Sequence, residues 1–190
     1  MLTQYRGPAL LAATLLMGLV AGVFDLYAHT IMRGLDKTDD RTFVGAFQEI
    51  DKAIINPFFM LTFFGALVLS GAAALLYLRD DGSSVLPWVV AAFVLYLTAV
   101  VITMVVNVPL NDDIKAAGDP DQINDLAAVR EAFHASRWTA WNVVRAIATT
   151  VAFGCLAWAL VLHGRISDSS SDTSAPAQEQ AELGSMTSGS

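Results

Sequence analysis

The amino-acid sequence predicts an all-α protein: a four-helix transmembrane bundle with two amphipathic connecting helices on one side. Hydrophobic residues make up 55% of the chain and charged residues only 15%, whereas soluble domains carry about 25% charged residues. The apolar residues form four runs, each about 20 residues long, which matches a hydrocarbon core of roughly 30 Å. Polar residues within these runs cluster toward the two long connections.

These four runs predict the domain organisation. We expect a four-span membrane domain over residues 1–166 and a disordered polar tail over 167–190, where there is almost nothing to bury. The first run is longer than the apolar core of a signal peptide, about 7–15 residues, so we expect a retained span. The predicted spans are about 8–30, 57–78, 86–107 and 138–162.

The connection after the first span contains a predicted amphipathic helix. Its apolar residues recur at helical steps: Phe43, Phe47, Ile50 and Ile54. Asp39 or Asp40 can cap its start. Pro57 then takes the favoured first turn of the second span. The polar turn Arg79–Ser84 makes the second and third spans antiparallel neighbours.

The second long connection begins with Asn107-Val108-Pro109-Leu110-Asn111. Pro109 has no backbone N–H, and its ring clashes with the carbonyl four residues back. We expect the two flanking amides to supply partners for the carbonyls freed there, since an unpaired group in lipid is costly. Further on, a second amphipathic helix is expected over 121–137, with Asp121 as its cap.

Charge and motif content exclude several classes of function. The net charge is −7 and there is no basic patch, so nucleic acid is not expected as a partner. Cys155 is the only cysteine, which excludes an internal disulfide or a cysteine-based metal cluster. Nothing resembles a nucleotide, flavin or haem motif. His29, Glu49 and His134 lack any supporting spacing for a metal site, so no cofactor or metal is predicted.

The distribution of basic residues predicts the orientation. Four spans put both termini on one side of the membrane and both long connections on the other. The long connections carry most basic residues, Arg33, Lys37, Arg41, Lys52, Lys115, Arg130 and Arg137, against Arg6, Arg79 and Arg165 on the terminal side. This bias favours long connections in the cytoplasm of a multi-pass cell-membrane protein. The lipid bilayer is the expected partner, and the sequence leaves a homo-oligomer open.

A first candidate site lies at the end of the first span. Asp25, His29 and Arg33 are spaced by four, which places them on one face of a helix. Asp25 can orient His29, and His29 can take or give a proton as a catalytic group. The alternative is a hydrogen-bonded interfacial stripe without chemistry.

A second candidate site begins the fourth span. Asn142 and Arg145 are three residues apart, on one face with Trp138 and Trp141. Arg145 lies just inside the membrane, where it can snorkel outward or bind a carboxylate or an oxyanion inside the bundle. The tryptophans alternatively form an interfacial belt.

The order and spacing of five motifs resemble the anthrone oxygenase-like family of small four-helix membrane proteins. The motifs are Gly22-Val23-Phe24, Asp40-Arg41-Thr42-Phe43-Val44, Ile55-Asn56-Pro57, Asn107-Val108-Pro109-Leu110-Asn111 and Arg137-Trp138-x-x-Trp141-Asn142-x-x-Arg145. The resemblance covers about residues 10–162 and implies an integral membrane protein. For the fungal polyketide members it implies oxidation of an anthrone to an anthraquinone by O₂, without a bound metal or flavin.

The resemblance and the residues together give a functional hypothesis. The motif positions are Asn107, Asn111, Trp141, Asn142 and Arg145, whereas Asp25, His29 and Arg33 stand where the resemblance implies apolar residues and a proline. We predict O₂-dependent oxidation of a hydrophobic aromatic substrate, with His29 as base and Arg145 as the oxyanion-binding group. Asp25, Asn107, Asn111, Trp141 and Asn142 are the predicted substrate-binding residues. The alternative is a non-catalytic membrane scaffold or subunit.

Overall fold

The computed structural model describes residues 3–78 and 84–187, with side chains described up to Ile166. Within those ranges every regular element is helical and none is a β-strand, which confirms the all-α prediction. The elements are a 3₁₀ turn (Thr3–Tyr5), α1 (Arg6–Leu26), a π-helical turn (Tyr27–Ile31), α2 (Met32–Leu35), α3 (Asp40–Ile54), α4 (Pro57–Tyr77), α5 (Leu86–Ile102), a second π-helical turn (Thr103–Asn107), α6 (Val108–Ala116), α7 (Leu126–Ala132) and α8 (Ala135–Thr187).

Four helices are long and apolar enough to cross a membrane: Arg6–Leu35, Pro57–Tyr77, Leu86–Ala116 and Leu126–Ile166. Their facing sides bury a core of small and apolar residues such as Ala13, Ala66 and Ala92. Large apolar side chains on their outer faces, including Phe58 and Leu75, stay exposed. A bundle that is apolar on the outside has lipid as its natural surroundings, so the protein is a multi-pass membrane protein.

Two of the four membrane helices contain a π-helical turn. In the first, the N–H of Met32 donates to the carbonyl of Tyr27, and in the third the N–H of Val108 donates to that of Thr103. The second turn ends just before Pro109, whose ring cannot fit a regular α-helix at that point. A wider turn accommodates the proline, so the helix continues to Ala116.

The flanking amides do not cap the carbonyls that Pro109 frees. Asn107 donates to the carbonyl of Trp138 (3.3 Å), and Asn111 donates to the Asp51 carboxylate (2.6 Å). Both amides therefore join helices that are distant in sequence. The expectation that they would serve the proline kink was wrong, because the π-helical turn already adjusts the backbone there.

The two long connections pack together over one end of the bundle. α3 is capped by Asp39, which accepts from the N–H of Thr42 (2.9 Å). The predicted second helix is shorter than expected at both ends. Asp119 closes a turn by accepting from the N–H of Asp121 (2.9 Å), and the helix ends at Ala132, shortly before His134, whose φ of 51° is outside the α-helical range. α7 starts only after Asp125, its actual cap. A second apolar core under these helices includes Phe43, Phe47 and Phe133.

Other local predictions have mixed outcomes. Asn56 caps α4 by accepting from the N–H of Phe59 (3.0 Å), and Pro57 occupies the first turn, as expected. Most of the predicted turn Arg79–Ser84 lies outside the described residues. The tail over 167–190 was predicted to be disordered, whereas the backbone continues as part of α8 as far as Thr187. The side chains beyond Ile166 and the whole of 188–190 lie outside the described residues.

Candidate functional site

A cavity of about 240 Å³ lies where the two long connections meet the membrane helices. The first three membrane helices, α3 and α8 all contribute to its lining. Most of the lining is apolar or aromatic, with residues such as Phe24, Phe59 and Phe63, and a few polar groups converge on it: Tyr27, Asp51, Thr103, Asn111, Asp112, Lys115 and Arg145. This combination is typical of small-molecule sites.

Arg145 is the most unusual residue of the lining, because it is only 4% exposed. It donates to the hydroxyl of Thr103 (2.9 Å) and to the Asn142 side-chain oxygen (2.8 Å), both uncharged acceptors. Its Nε has no hydrogen-bond partner. Among the described side chains no carboxylate forms an ion pair with it. The bundle therefore holds a buried positive charge without a matching anion.

Two aromatic rings complete the surroundings of Arg145. Its guanidinium carbon lies 4.4 Å from the centre of the Phe24 ring and 5.5 Å from that of Trp138. Aromatic faces stabilise a cation modestly, by about 0.5–2 kcal/mol each. Tyr27 contacts the same wall, with its ring 5.7 Å from that of Trp138. The cation is thus fixed in orientation while one of its nitrogens stays unused.

Asn142 holds Arg145 in place. Its side-chain nitrogen donates to the carbonyl of Phe24 (3.0 Å) and its oxygen accepts from Arg145. Phe24 precedes the π-helical turn of the first membrane helix, and Thr103 opens that of the third. Both irregular turns thus lie beside the arginine, and such turns are frequent at functional sites.

A second polar group extends from the cavity toward the long connections. Asn111 donates to Oδ1 of Asp51 (2.6 Å), and its oxygen accepts from the indole N–H of Trp138 (2.6 Å). Lys115 Nζ lies 2.8 Å from Oδ2 of Asp51 and 3.0 Å from Asp112. Oδ2 of Asp51 is buried, so this ion pair with Lys115 is largely shielded from solvent.

The structure brings together only part of the predicted site. Arg145 and Asn111 line the cavity, while Asn107 and Asn142 are buried behind it. Asn107 contributes a buried side-chain oxygen that has no hydrogen-bond partner. Trp141 is 39% exposed and is not among the lining residues, as in an interfacial belt.

The stripe on the first membrane helix lies away from this cluster. His29 and Asp25 are 3.8 Å apart, with side chains 66% and 47% exposed, and neither lines the cavity. Arg33 is exposed as well. Their spacing was recognised correctly, but it indicates one shared face and does not indicate which face points inward. A role for His29 as base stays a prediction without a geometric link to Arg145.

Sequence reasoning missed Asp51, Lys115 and Thr103. A signal for Asp51 existed, since it stands four residues after Phe47 and so interrupts the apolar face of α3. An acid on that face is expected to need a partner inside the protein. Lys115 gave no comparable signal, because the third span was expected to end at residue 107.

The chemistry available to this arrangement is anion binding in an apolar enclosure. A fixed cation with hydrogen-bond donors stabilises an oxyanion strongly when water is excluded. A carboxylate in the same cavity is a proton acceptor. Within the described ranges, no group of three or more His, Cys, Asp or Glu side chains is arranged to hold a metal ion.

Comparison with known proteins gives one finding. A family model described as anthrone oxygenase matches residues 59–155, which is just over half of the chain. Asn111, Asn142 and Arg145 fall within the match, whereas Asp51 and the first membrane helix fall outside it. None of the curated proteins and none of the solved structures compared with the chain matches it.

Proposed function

We propose that this chain, which belongs to the anthrone oxygenase family, oxidises a hydrophobic aromatic substrate with O₂ and without a bound cofactor. The observation that carries the proposal is the buried Arg145, which lines an aromatic cavity and has no carboxylate partner among the described residues. Burying an ion costs several kcal/mol. Such a cost is understandable where the charge binds an anion that forms during a reaction.

The proposed reaction converts a ring CH₂ conjugated with a carbonyl into a second carbonyl. Loss of one proton gives an enolate, whose oxygen Arg145 stabilises. The enolate carbon passes electrons to O₂ and forms a C–O bond, and the resulting peroxide anion takes up the first proton to give a hydroperoxide. Loss of the second C–H proton then breaks the O–O bond and leaves a ketone and hydroxide, which takes up a proton. One CH₂ and one O₂ thus become one C=O and one water.

The cavity limits the class of substrate. A dry apolar cavity of about 150 Å³ binds benzene, so about 240 Å³ suits an aromatic molecule with more than one ring. The walls formed by Phe24, Phe63 and Trp138 offer flat apolar contacts. An anthrone, which has fused rings and an acidic CH₂, fits this description.

The proposal also covers the partners of the protein and its orientation in the membrane. A substrate of this kind partitions into the bilayer, so lipid and O₂ are the proposed partners, and a homo-oligomer stays open. The excess of basic residues on the long connections favours their cytoplasmic location in the cell membrane. The cavity would then open toward the cytoplasmic leaflet.

The proposal is tested by aerobic oxidation of emodin anthrone in proteoliposomes, followed as quinone absorbance. The wild type is compared with Arg145→Met and with a control, Arg137→Met, which changes an exposed arginine two turns earlier on α8. Wild-type protein and the control should exceed the spontaneous rate, and Arg145→Met should lose most of the excess. Equal rates in all three preparations would contradict the proposal.

A non-catalytic scaffold is the second candidate, and one observation favours it. Arg145 and Asn142 together join three helices, through Thr103 on the third and the Phe24 carbonyl on the first. If this were their whole purpose, Arg145→Met would lower the unfolding temperature sharply and no anthrone turnover would be found in the wild type. If Arg145→Met keeps its stability but loses turnover, a purely structural role for Arg145 is excluded.

A further inference from the structure

We infer that Asp51 is the general base of this site, which takes the proton from the substrate carbon and returns it to the departing oxygen. This role rests on the proposed oxidation of a CH₂ group. It goes beyond that proposal because it assigns the proton transfers to a residue outside the matched family region.

The position of Asp51 supports the role. Its side chain is only 7% exposed, and it lines the same cavity as Arg145. Asn111 fixes one carboxylate oxygen by donating to Oδ1 (2.6 Å). The other oxygen, Oδ2, is buried and forms an ion pair with Lys115, whose Nζ lies 2.8 Å away. The carboxylate is thus fixed at both oxygens, and each oxygen keeps a second lone pair that can accept a proton.

The other acid–base groups nearby fit the role less well. His29 is exposed and does not line the cavity. Tyr27 lines it, but a phenol carries its proton at neutral pH under ordinary conditions. Lys115 is a cation there, as its ion pairs with Asp51 and Asp112 require. Asp51 is the remaining buried group with a lone pair for a proton.

A single acid–base group is enough for all the proton transfers of the proposed reaction. Asp51 takes the first C–H proton as the enolate forms and gives it to the peroxide oxygen. It then takes the second C–H proton as the O–O bond breaks, and gives that proton to the hydroxide. The carboxylate ends in its starting form, so no net proton has to leave the cavity. Arg145 makes the first step feasible because it lowers the energy of the enolate.

Arg145 and Asp51 have different roles in the proposed reaction. Arg145 on α8 and Asp51 on α3 line the same cavity from different helices, so one group can bind the substrate oxygen while the other takes the proton from the carbon. The ammonium of Lys115 lies 2.8 Å from Oδ2 of Asp51 and fixes the position of the carboxylate. Lys115 is therefore a positioning residue.

The test compares Asp51→Asn with Glu49→Gln in the anthrone oxidation assay. Asparagine keeps the size of the side chain and can still accept from Asn111, while Glu49 is an exposed acid on the same helix that pairs with Lys52. Asp51→Asn should lower kcat about 10²–10⁴-fold, the usual contribution of a general base, with KM little changed. Glu49→Gln should match the wild type.

A rescue experiment separates chemistry from structure. In Asp51→Ala, added acetate should restore part of the activity, because a small carboxylate can enter the space left by the side chain. The same acetate should not restore Arg145→Met. A merely structural aspartate would give lower stability and no acetate rescue, which would overturn the assignment.

The outcomes distinguish this role from the proposed function. Wild-type turnover that depends on Arg145 but persists in Asp51→Asn would overturn the assignment of Asp51 alone. An absence of turnover above the spontaneous rate in the wild type would contradict the oxidation itself, and the base role with it.

Discussion

Replacement of Arg145 by methionine should lower the activity strongly and change the stability of the fold only slightly. Methionine has a similar length and no charge, so it can contact the same rings of Phe24 and Trp138 as the arginine does. If the charge is retained for binding an oxyanion, its removal should cost activity and little stability. Residues kept for function commonly stabilise the fold less than the best alternative would.

The expected change in stability follows from the contacts. Two hydrogen bonds from the guanidinium contribute about 1.5–3 kcal/mol each, and the two ring contacts add about 0.5–2 kcal/mol each. The burial of the ion opposes these gains by several kcal/mol. After substitution, the Asn142 oxygen loses its donor, at about 1–3 kcal/mol, while Thr103 still donates to the Ala99 carbonyl (2.8 Å). The free energy of unfolding should therefore change by less than about 3 kcal/mol.

The activity should fall far more. Removal of one oxyanion-binding donor lowers kcat about 10²–10³-fold. Quinone formation in proteoliposomes measures the activity, and thermal unfolding in detergent followed by circular dichroism measures the stability. If the variant keeps wild-type turnover, or if it no longer folds, Arg145 is not retained chiefly to bind an oxyanion. Arg137→Met serves as the control for charge loss on α8.

Three further predictions follow from individual positions. His29→Ala should keep both activity and stability, because its side chain is exposed and outside the cavity; a loss of turnover in the proteoliposome assay would restore it as a candidate base. Pro109→Ala adds an N–H that can bond the Val105 carbonyl, so the π-helical turn should revert to α-helix and rotate Thr103 by up to about 100°. Turnover should therefore fall, while the unfolding temperature stays the same or rises. Unchanged turnover would show that the π-helical turn does not position the site. The hydrogen bonds from Thr42 hold the pKa of Asp39 below its ordinary 3.8. The cap therefore stabilises the fold fully above that pH and loses its effect as the pH falls through the lower pKa of the folded state. Asp39→Ala should make the unfolding temperature depend less on pH in that acidic range, and an unchanged pH profile would contradict this.

The fold could be predicted from the sequence because its signals are local. The lengths of the apolar runs set the four spans, and the caps at Asp39 and Asn56 are recognisable from neighbouring residues. The predicted helix over 121–137 was wrong at both ends. Its end at Ala132 comes before His134, which has a positive φ, and its start was misplaced because Asp119 and Asp125 compete with Asp121 for the same kind of hydrogen bond. Several short polar side chains in a row make such a boundary hard to assign.

The site could be predicted only where its residues share a helix. Asn142 and Arg145 stand three apart, and the structure joins them directly. Asp51 and Asn111 are 60 positions apart, and only packing of α3 on the third membrane helix brings them together. For Asp25, His29 and Arg33, the regular spacing correctly placed the three side chains on one face of a helix, but it could not show whether that face points into the bundle. The two π-helical turns had no sequence signal beyond Pro109.

An anaerobic titration of the protein with an anthrone in proteoliposomes, followed by enolate absorbance, tests most directly whether Arg145 binds the oxyanion. Without O₂ the reaction stops at the first intermediate, so the signal reports only stabilisation of the oxyanion. We predict enolate at neutral pH with the wild type and with Arg137→Met, and little or none with Arg145→Met. An equal fraction of enolate with and without Arg145, or none with the wild type, would contradict it.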